Sequence, residues 1–290
     1  MIRSNVRLAV GGTITATLVV LAVLAPALAR WDPLEMTPDL LAPPSRAHPL
    51  GTDSFGRDVF SRLLFGARVS LLVAALSVLI ASTLGTLLGL ASATFRGTVD
   101  WVVMRAVDVI LAFPPILLAI AVVTFLGSGL YKLAAVISVL YVPAFARLTY
   151  GSALGVAKTE YVEAARALGA SGWHQMARHI LPNVAGPIVV QASLTLGFAL
   201  LVESGLSFLG LGVLPPTATW GRMVSESRNY LQREPLLLIW PALAIALAIG
   251  GFNLLGDGLR DALDPRLQGA GRRQAAATSA ENRRMTVPRA

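Results

Sequence analysis

The chain has 290 residues, of which 55% are hydrophobic and 14% are charged, and its mean hydropathy is +0.67. Soluble domains carry roughly 25% charged residues, so this composition excludes an ordinary soluble protein and indicates an integral membrane protein. The absence of cysteine excludes disulfides, thiolate metal sites and cysteine nucleophiles. The net charge of +8 comes from basic residues beside apolar segments and in the tail, which favours topology-setting charge over nucleic-acid binding.

Six apolar segments are long enough to cross a bilayer, which requires about 20 residues. They lie near 8–29, 70–93, 102–125, 133–153, 187–211 and 236–256. The first has some features of a signal peptide, because Arg3 and Arg7 precede it and Ala27-Leu28-Ala29 resembles a cleavage site. Its length and the five spans that follow favour an uncleaved helix. These segments predict an all-α integral membrane protein with six transmembrane helices.

Basic residues orient the predicted bundle. A cytoplasmic N-terminus places most of them inside, in accordance with the positive-inside tendency. Both termini, a turn near Arg96-Gly97 and the loop 155–186 are then cytoplasmic. The outer side holds the loop 30–69, a turn near Gly127 and the loop 212–235.

The same pattern divides the chain into three regions. Residues 1–69 hold the first span and an outer loop. Residues 70–267 hold the other five spans with the loop 155–186. The segment 268–290 lacks apolar periodicity and is predicted to be a disordered cytoplasmic tail.

Three of the spans contain residues that an inert anchor does not need. In the second, small residues recur every fourth position at Ser77, Ala81, Gly85 and Gly89, a pattern that allows close approach of another helix. That helix belongs either to this chain or to a second membrane subunit. The third span carries Pro114-Pro115, which predicts a kink, and the fifth is predicted to be interrupted at 203–207 and then at Gly210 and Gly212.

Charged and polar side chains inside the spans are candidate pathway-lining residues. Asp108 and Glu203 are costly against lipid and are expected to face the bundle or a cavity. Asp108 lies three positions after Arg105 on one helical face, so a local pair is predicted. Glu203 either lines the pathway or bonds between helices, and Ser204 and Ser207 accompany it.

The loop 155–186 is predicted to fold as two short helices joined at a glycine. Thr159 is a candidate N-cap for the first helix, and Gly169 suits the left-handed residue that ends it. Ser171 is expected to cap the second helix, which Pro182 is expected to stop before the fifth span. The small residues of the first helix would fit a partner's groove; the alternative is an amphipathic hairpin on the membrane surface.

This loop resembles a known family. Glu163-Ala164-Ala165, then Gly169, then Leu181-Pro182 are similar to the EAA loop of permeases in binding-protein-dependent ABC importers. The family pattern has isoleucine two residues before Leu-Pro, where this chain has His179. Further stretches resemble the oligopeptide, dipeptide and nickel group, and together the matches cover about 48–267: His48–Asp58, Ala112–Pro115, Glu203–Gly212 and Asn253–Arg260.

The resemblance implies the type I ABC importer permease (MetI-like) fold and a docking role for the loop. The residues implied in docking to the ATPase are Glu160, Glu163, Ala164, Ala165, Arg166, Leu168, Gly169, Leu181 and Pro182. The implied partners are a second homologous permease, two ATP-binding subunits, an extracytoplasmic substrate-binding protein and membrane lipid, in a bacterial cytoplasmic membrane. Nucleic acid is not an implied partner.

Catalysis is not expected in this chain. It lacks the GxxxxGKS/T phosphate loop, and its histidines show no recognisable metal spacing. ATP and Mg are therefore expected on the partner subunits, with no cofactor or metal bound here. Peptides are the first expectation for the cargo, with nickel, glutathione, haem or oligosaccharide as alternatives. An ATP-independent secondary transporter is the more distant alternative.

Overall fold

The computed structural model describes residues 2–263, with side chains from residue 6 onward. Apart from one isolated bridge between Thr52 and Asp58, the regular structure of this range is helical, which confirms the predicted all-α class. The α-helices are α1 (Ile2–Val23), α2 (Ala25–Leu28), α3 (Val59–Phe95), α4 (Gly97–Leu111), α5 (Pro115–Leu126), α6 (Leu130–Val156), α7 (Glu160–Ala167), α8 (Gly172–His174), α9 (Leu181–Phe208), α10 (Trp220–Ser227) and α11 (Leu236–Leu263). The tail predicted at 268–290 lies outside the described residues.

Five helical stretches of the described range are long and apolar enough to cross a membrane. They are Val6–Val23, Val59–Phe95, Leu130–Val156, Gly172–Phe208 and Leu236–Leu263. α4 and α5 qualify only together, and they are bent by 95° at their junction. Counted as one broken span, this pair brings the number to the predicted six.

The second span begins earlier than its hydropathy indicates. α3 starts at Val59, directly after Asp58, whose carboxylate accepts a hydrogen bond from the Ser61 amide at 2.8 Å. An aspartate at this position satisfies a free amide of the first turn. The outer loop predicted to reach residue 69 therefore ends at residue 58.

Prolines account for the bend in the third span. Pro114 disfavours the helical conformation for the residue before it, and α4 accordingly ends at Leu111. Pro115 occupies the first position of α5, where its missing amide costs little. The predicted kink is confirmed as the 95° bend.

The small-residue ridge of α3 packs against α6 of the same chain. A Cβ atom on Gly85 would lie 2.5 Å from the Phe145 Cβ and 2.6 Å from the Val142 carbonyl oxygen. One on Gly89 would lie 2.5 Å from the Ala146 carbonyl oxygen. All three distances are too short for real contacts, so the two helices approach closely only because these positions are glycines. Of the two candidate partners, the structure shows the helix within this chain.

The fifth span is not interrupted at 203–207, and that prediction is wrong. α9 continues to Phe208, and the backbone leaves the helix at Gly210, where φ is +81°, which confirms the part of the prediction that named this glycine. The Glu203 carboxylate accepts hydrogen bonds from the hydroxyls of Ser207 at 2.8 Å and Ser204 at 3.3 Å. Because these polar groups satisfy one another on one helix, they do not require a break in its backbone.

The loops 30–58 and 212–235, here termed the cap, meet through buried charges. The guanidinium groups of Arg57 and Arg62 contact the Glu226 carboxylate at 3.2 and 3.0 Å and the Asp53 carboxylate at 2.7 and 3.3 Å. Arg62 is 1% exposed. Buried charges are stable only when they are paired, so this network fixes the start of α3 against α10.

Candidate functional site

The coupling element, defined here as residues 159–182, begins with α7 after the long helix α6. Glu160 and Glu163 lie in the first turn of α7 and Arg166 in its last, which suits the direction of the helix dipole. The predicted side-chain cap by Thr159 is wrong. Thr159 precedes the helix, but its hydroxyl donates to the Val156 carbonyl at 2.7 Å and so ties α7 back to α6.

The turn that ends α7 is a Schellman motif. Gly169 has φ +87°, which confirms the predicted left-handed residue. The Ala170 amide donates to the Ala165 carbonyl and the Gly169 amide to the Arg166 carbonyl, both at 3.0 Å. These two bonds satisfy carbonyls that the helix end leaves free, so the direction in which the chain leaves α7 is closely specified.

The second half of the element is continuous with the fifth span. Ser171 caps α8 as predicted, because its hydroxyl accepts from the His174 amide at 3.3 Å. The expected stop at Pro182 is wrong, since a π-helical turn, Gln175–Ile180, carries the helix directly into α9. Its last bond runs from the Leu181 amide to the Met176 carbonyl. Pro182 then lies in the first turn of α9, where no amide is needed.

The buried face of the element packs on the ends of two spans. Met176 and Ile180 join a buried apolar cluster of α3, α6 and α9 residues: Leu90, Ala93, Ala153, Ala157 and Val184. The rings of Phe95 and Trp173 meet edge to face at 5.5 Å. A displacement of the coupling element must therefore move the ends of α3 and α6 or break this cluster.

Gln175 joins the two halves of the element. Its buried side chain donates to the Ala170 carbonyl at 2.7 Å and accepts from the Arg166 guanidinium at 3.3 Å. Sequence reasoning missed this residue. A glutamine at an otherwise apolar helical position, between Met176 and the turn, was the available signal.

The opposite face of the element is open. The side chain of Leu168 at the tip is 89% exposed, and Glu160, Glu163 and Ala164 are exposed along α7. A single exposed leucine does not by itself mark a contact surface, so the docking role of this face stays a prediction. The remaining predicted docking residues are Ala165, which is half-buried, and Arg166 and Gly169, which are exposed.

Leu181 and Pro182 lie apart from the tip. They are exposed in the first turn of α9, at the end of the π-helical turn. His179, the departure from the family pattern, is half-buried and places its ring 6.3 Å from the Tyr161 ring of α7. His179 thus contacts the back of α7, while Ile180 takes the core position.

The candidate pathway residues fall into two groups. Glu203, Ser204 and Ser207 are buried, and the carboxylate accepts hydrogen bonds from Ser204 and Ser207 of its own helix and from Ser70 of α3, as the alternative of bonding between helices predicts. Asp108 is half-exposed and pairs with Arg147 of α6, so the predicted local pair with Arg105 is wrong. The side chain of Asp108 points from α4 toward α6, whereas Arg105 is exposed. A role in lining a pathway stays a prediction for all four residues.

Known proteins resemble this chain over most of its length. The family model described as the binding-protein-dependent transport system inner membrane component matches residues 81–269. The glutathione transport system permease protein GsiD of Pectobacterium atrosepticum is 48% identical over 225 residues, which cover 78% of this chain and 75% of that protein. The dipeptide transport system permease protein DppC of Alkalihalophilus pseudofirmus is 41% identical over 92% of this chain and 88% of its own length.

A third relative extends the match. The probable D,D-dipeptide transport system permease protein DdpC of Escherichia coli K12 is 40% identical over 93% of this chain and 91% of that protein. The family match covers the paired helices α3 and α6 from residue 81 onward, the coupling element and α9. With its apolar helices and this match, the chain belongs to the family of binding-protein-dependent transport system inner membrane components, the multi-pass membrane permeases of ABC transporters.

Proposed function

We propose that this chain is a permease subunit of an ATP-driven importer of short peptides. The cargo class is supported by the relatives, whose names give dipeptides, D,D-dipeptides and glutathione as their substrates. All three are short peptides with an ammonium group and carboxylate groups. Nickel, haem and oligosaccharide carry no comparable support from these names.

The observation that carries this function is the two-faced coupling element. One face buries Met176 and Ile180 against the spans, and the other exposes the Leu168 tip. In the proposed assembly the exposed face docks on one of two ATP-binding subunits, which hold ATP and Mg and perform the hydrolysis. This chain then performs no catalysis and transmits motion.

The element transmits motion through its buried face. When ATP closes the ATP-binding subunits, the docked α7 is displaced, and the Gln175 bonds carry the π-helical turn with it. The buried cluster passes the displacement to α3, α6 and α9. The effect is a coupling free energy that makes one bundle conformation more stable when ATP is bound.

The remaining partners follow from the binding-protein-dependent family. A second, homologous permease pairs with this chain to enclose the pathway, and an extracytoplasmic binding protein delivers cargo to the cap side. Both termini lie in the cytoplasm, on the same side as the coupling element. The basic residues near Arg96 and Arg178 support this orientation.

Reconstituted transport tests the proposal. The chain, its partner permease, the ATP-binding subunits and the binding protein are placed in liposomes, and uptake of radiolabelled dialanine is followed. We expect uptake that requires ATP and the binding protein. Uptake without ATP would indicate the secondary transporter, and failure of glutathione to compete would restrict the cargo to dipeptides.

Docking is tested by site-specific crosslinking, because the native chain has no cysteine. Leu168→Cys is expected to crosslink to an ATP-binding subunit carrying an engineered cysteine in its contact cleft. Phe125→Cys is the matched control, since that side chain is 94% exposed but lies at the far end of α5. Equal crosslinking by the two variants would contradict the docking role.

A further inference from the structure

An ion pair lies partly open inside the membrane-spanning region. Asp108 of α4 contacts Arg147 of α6, and their side chains are 45% and 44% exposed. A charged side chain facing hydrocarbon is unfavourable by several kcal/mol. A purely structural pair is expected to be enclosed, and in this chain alone both groups have open sides, so in the assembled transporter they face water, a polar ligand or the second permease.

An open, shallow pocket of 440 Å³ lies beside this pair. Asp100, Trp101, Met104, Arg105 and Tyr150 line it together with the pair itself. Sites for small molecules are typically about 300–1,000 Å³. The Tyr150 hydroxyl donates to the Asp100 carboxylate at 3.0 Å, so the second carboxylate is also held in a defined position.

The acidic residues of the pocket are spaced along α4. Asp100 and Asp108 are three and eleven residues after Gly97, which corresponds to about 5 and 17 Å of helix. The hydrocarbon core is about 30 Å thick. Because α4 and α5 meet at 95°, length along α4 does not measure depth; on α6, Arg147 lies nine residues before Val156, about 14 Å of helix from the end that is cytoplasmic in the proposed orientation.

We propose that this pocket, termed the inner vestibule, is a transient binding site for the charged ends of a zwitterionic short peptide on its way to the cytoplasm. Asp100 and Asp108 are about 12 Å apart along α4, so their carboxylates bind the peptide ammonium one at a time, and the guanidinium groups of Arg105 and Arg147 bind its carboxylate. Trp101 and Met104 supply apolar surface for its side chains. The cargo class rests on the proposed function.

The balance of charges suits a site on a pathway. Asp108 and Arg147 already satisfy each other, so a zwitterion exchanges one set of ion pairs for another. The net free energy of binding is then small, which a transport site requires because the solute must also leave. A vestibule with one sign of charge would instead retain ions of the opposite sign.

Cysteine labelling measures whether the vestibule contains water. In the intact complex Trp101→Cys replaces a side chain that is 70% exposed and lines the pocket, and Leu87→Cys replaces one that is 49% exposed on the apolar surface of α3. Methanethiosulfonate reagents require the thiolate, so the thiol at 101 should react about tenfold faster or more than the thiol at 87. An unreactive thiol at 101 would overturn the proposal.

Protection of the thiol from labelling by an added peptide tests whether the vestibule binds that peptide. Dialanine is added directly to the Trp101→Cys complex without ATP, and labelling should slow about threefold at a concentration twice its dissociation constant. N-acetylalanine amide, which lacks both charges, should not protect. Equal protection by the two compounds, or none by dialanine at saturating millimolar concentrations, would contradict the site.

A second substitution assigns the protection to the ion pair. Adding Asp108→Asn should remove protection by dialanine, while Asp261→Asn, at the Arg7–Asp261 pair at the ends of α1 and α11, should preserve it. If Asp108→Asn prevents assembly, Asp100→Asn replaces it, because an amide oxygen still accepts from Tyr150. Persistent protection in the assembled variant would overturn the proposal. These labelling experiments use no ATP, so their failure is distinct from a failure of ATP-driven uptake.

Discussion

Replacing Gly169 by valine tests whether the turn between α7 and α8 directs the coupling element. Gly169 has φ +87°, and a Cβ atom built there meets nothing within 4 Å. The penalty for a side chain is therefore conformational and not steric. A β-branched residue in the left-handed region costs about 1–2 kcal/mol, which lowers the population of the native turn about 5- to 30-fold against competing turns.

The expected result is loss of coupling without loss of folding. Gly169 is exposed and lies outside the buried clusters, so insertion and thermal melting of the Gly169→Val chain should match the wild type. Dialanine uptake in proteoliposomes should fall by about tenfold, while ATP hydrolysis continues. The ratio of peptide transported to ATP hydrolysed is the measurement.

Two matched variants control this experiment. Asparagine tolerates the left-handed conformation better than other non-glycine residues, so Gly169→Asn should retain most uptake. Gly155 of α6 also has open space around it but a helical backbone, so Gly155→Val should have little effect. Wild-type uptake by Gly169→Val would refute the role assigned to the turn.

Three further predictions concern assembly and stability. Glu163→Lys reverses a charge on the exposed face of α7 and should reduce co-purification of the ATP-binding subunits, whereas equal recovery would place Glu163 outside the interface. Gly85→Leu should destabilise the chain by about 1–3 kcal/mol, because the new side chain overpacks against Phe145. Gly250→Leu is the control, since the space around Gly250 is open. If Gly85→Leu melts at a temperature no lower than that of the control, the close α3–α6 contact is contradicted. Arg62→Met leaves Asp53 and Glu226 without one of their buried partners and should lower the free energy of unfolding by about 3–5 kcal/mol. Thermal melting measures the loss, with Arg68→Met at an exposed position as the control.

Features set by local chemistry were predictable from the sequence. A span must be long and apolar because hydrocarbon satisfies no backbone polar group, so hydropathy located the helices. The turn at Gly169 and the cap at Ser171 depend on bonds within six residues. Pro114-Pro115 likewise bends the third span through its own geometry.

Features set by distant packing were not predictable in this way. The partner of Asp108 is 39 positions away on another helix, and the contact between Arg62 and Glu226 spans 164 positions. The continuity through Pro182 depends on burial of Met176 and Ile180, which stabilises the π-helical turn. The tendency of proline to end a helix is read from the sequence alone and does not take the effect of that burial into account.

The unbroken helix from Gly172 to Phe208 has a mechanical consequence. At 1.5 Å per residue these 37 residues form a rod about 55 Å long. Tilting the rod about its midpoint moves each end by about 0.5 Å per degree. Its far end is hydrogen-bonded to the cap, where the Ser225 hydroxyl donates to the Phe208 carbonyl at 2.8 Å. The rod can bend at two places, the π-helical turn and Pro187, and as long as these stay straight a tilt at the coupling element displaces the cap in the opposite direction.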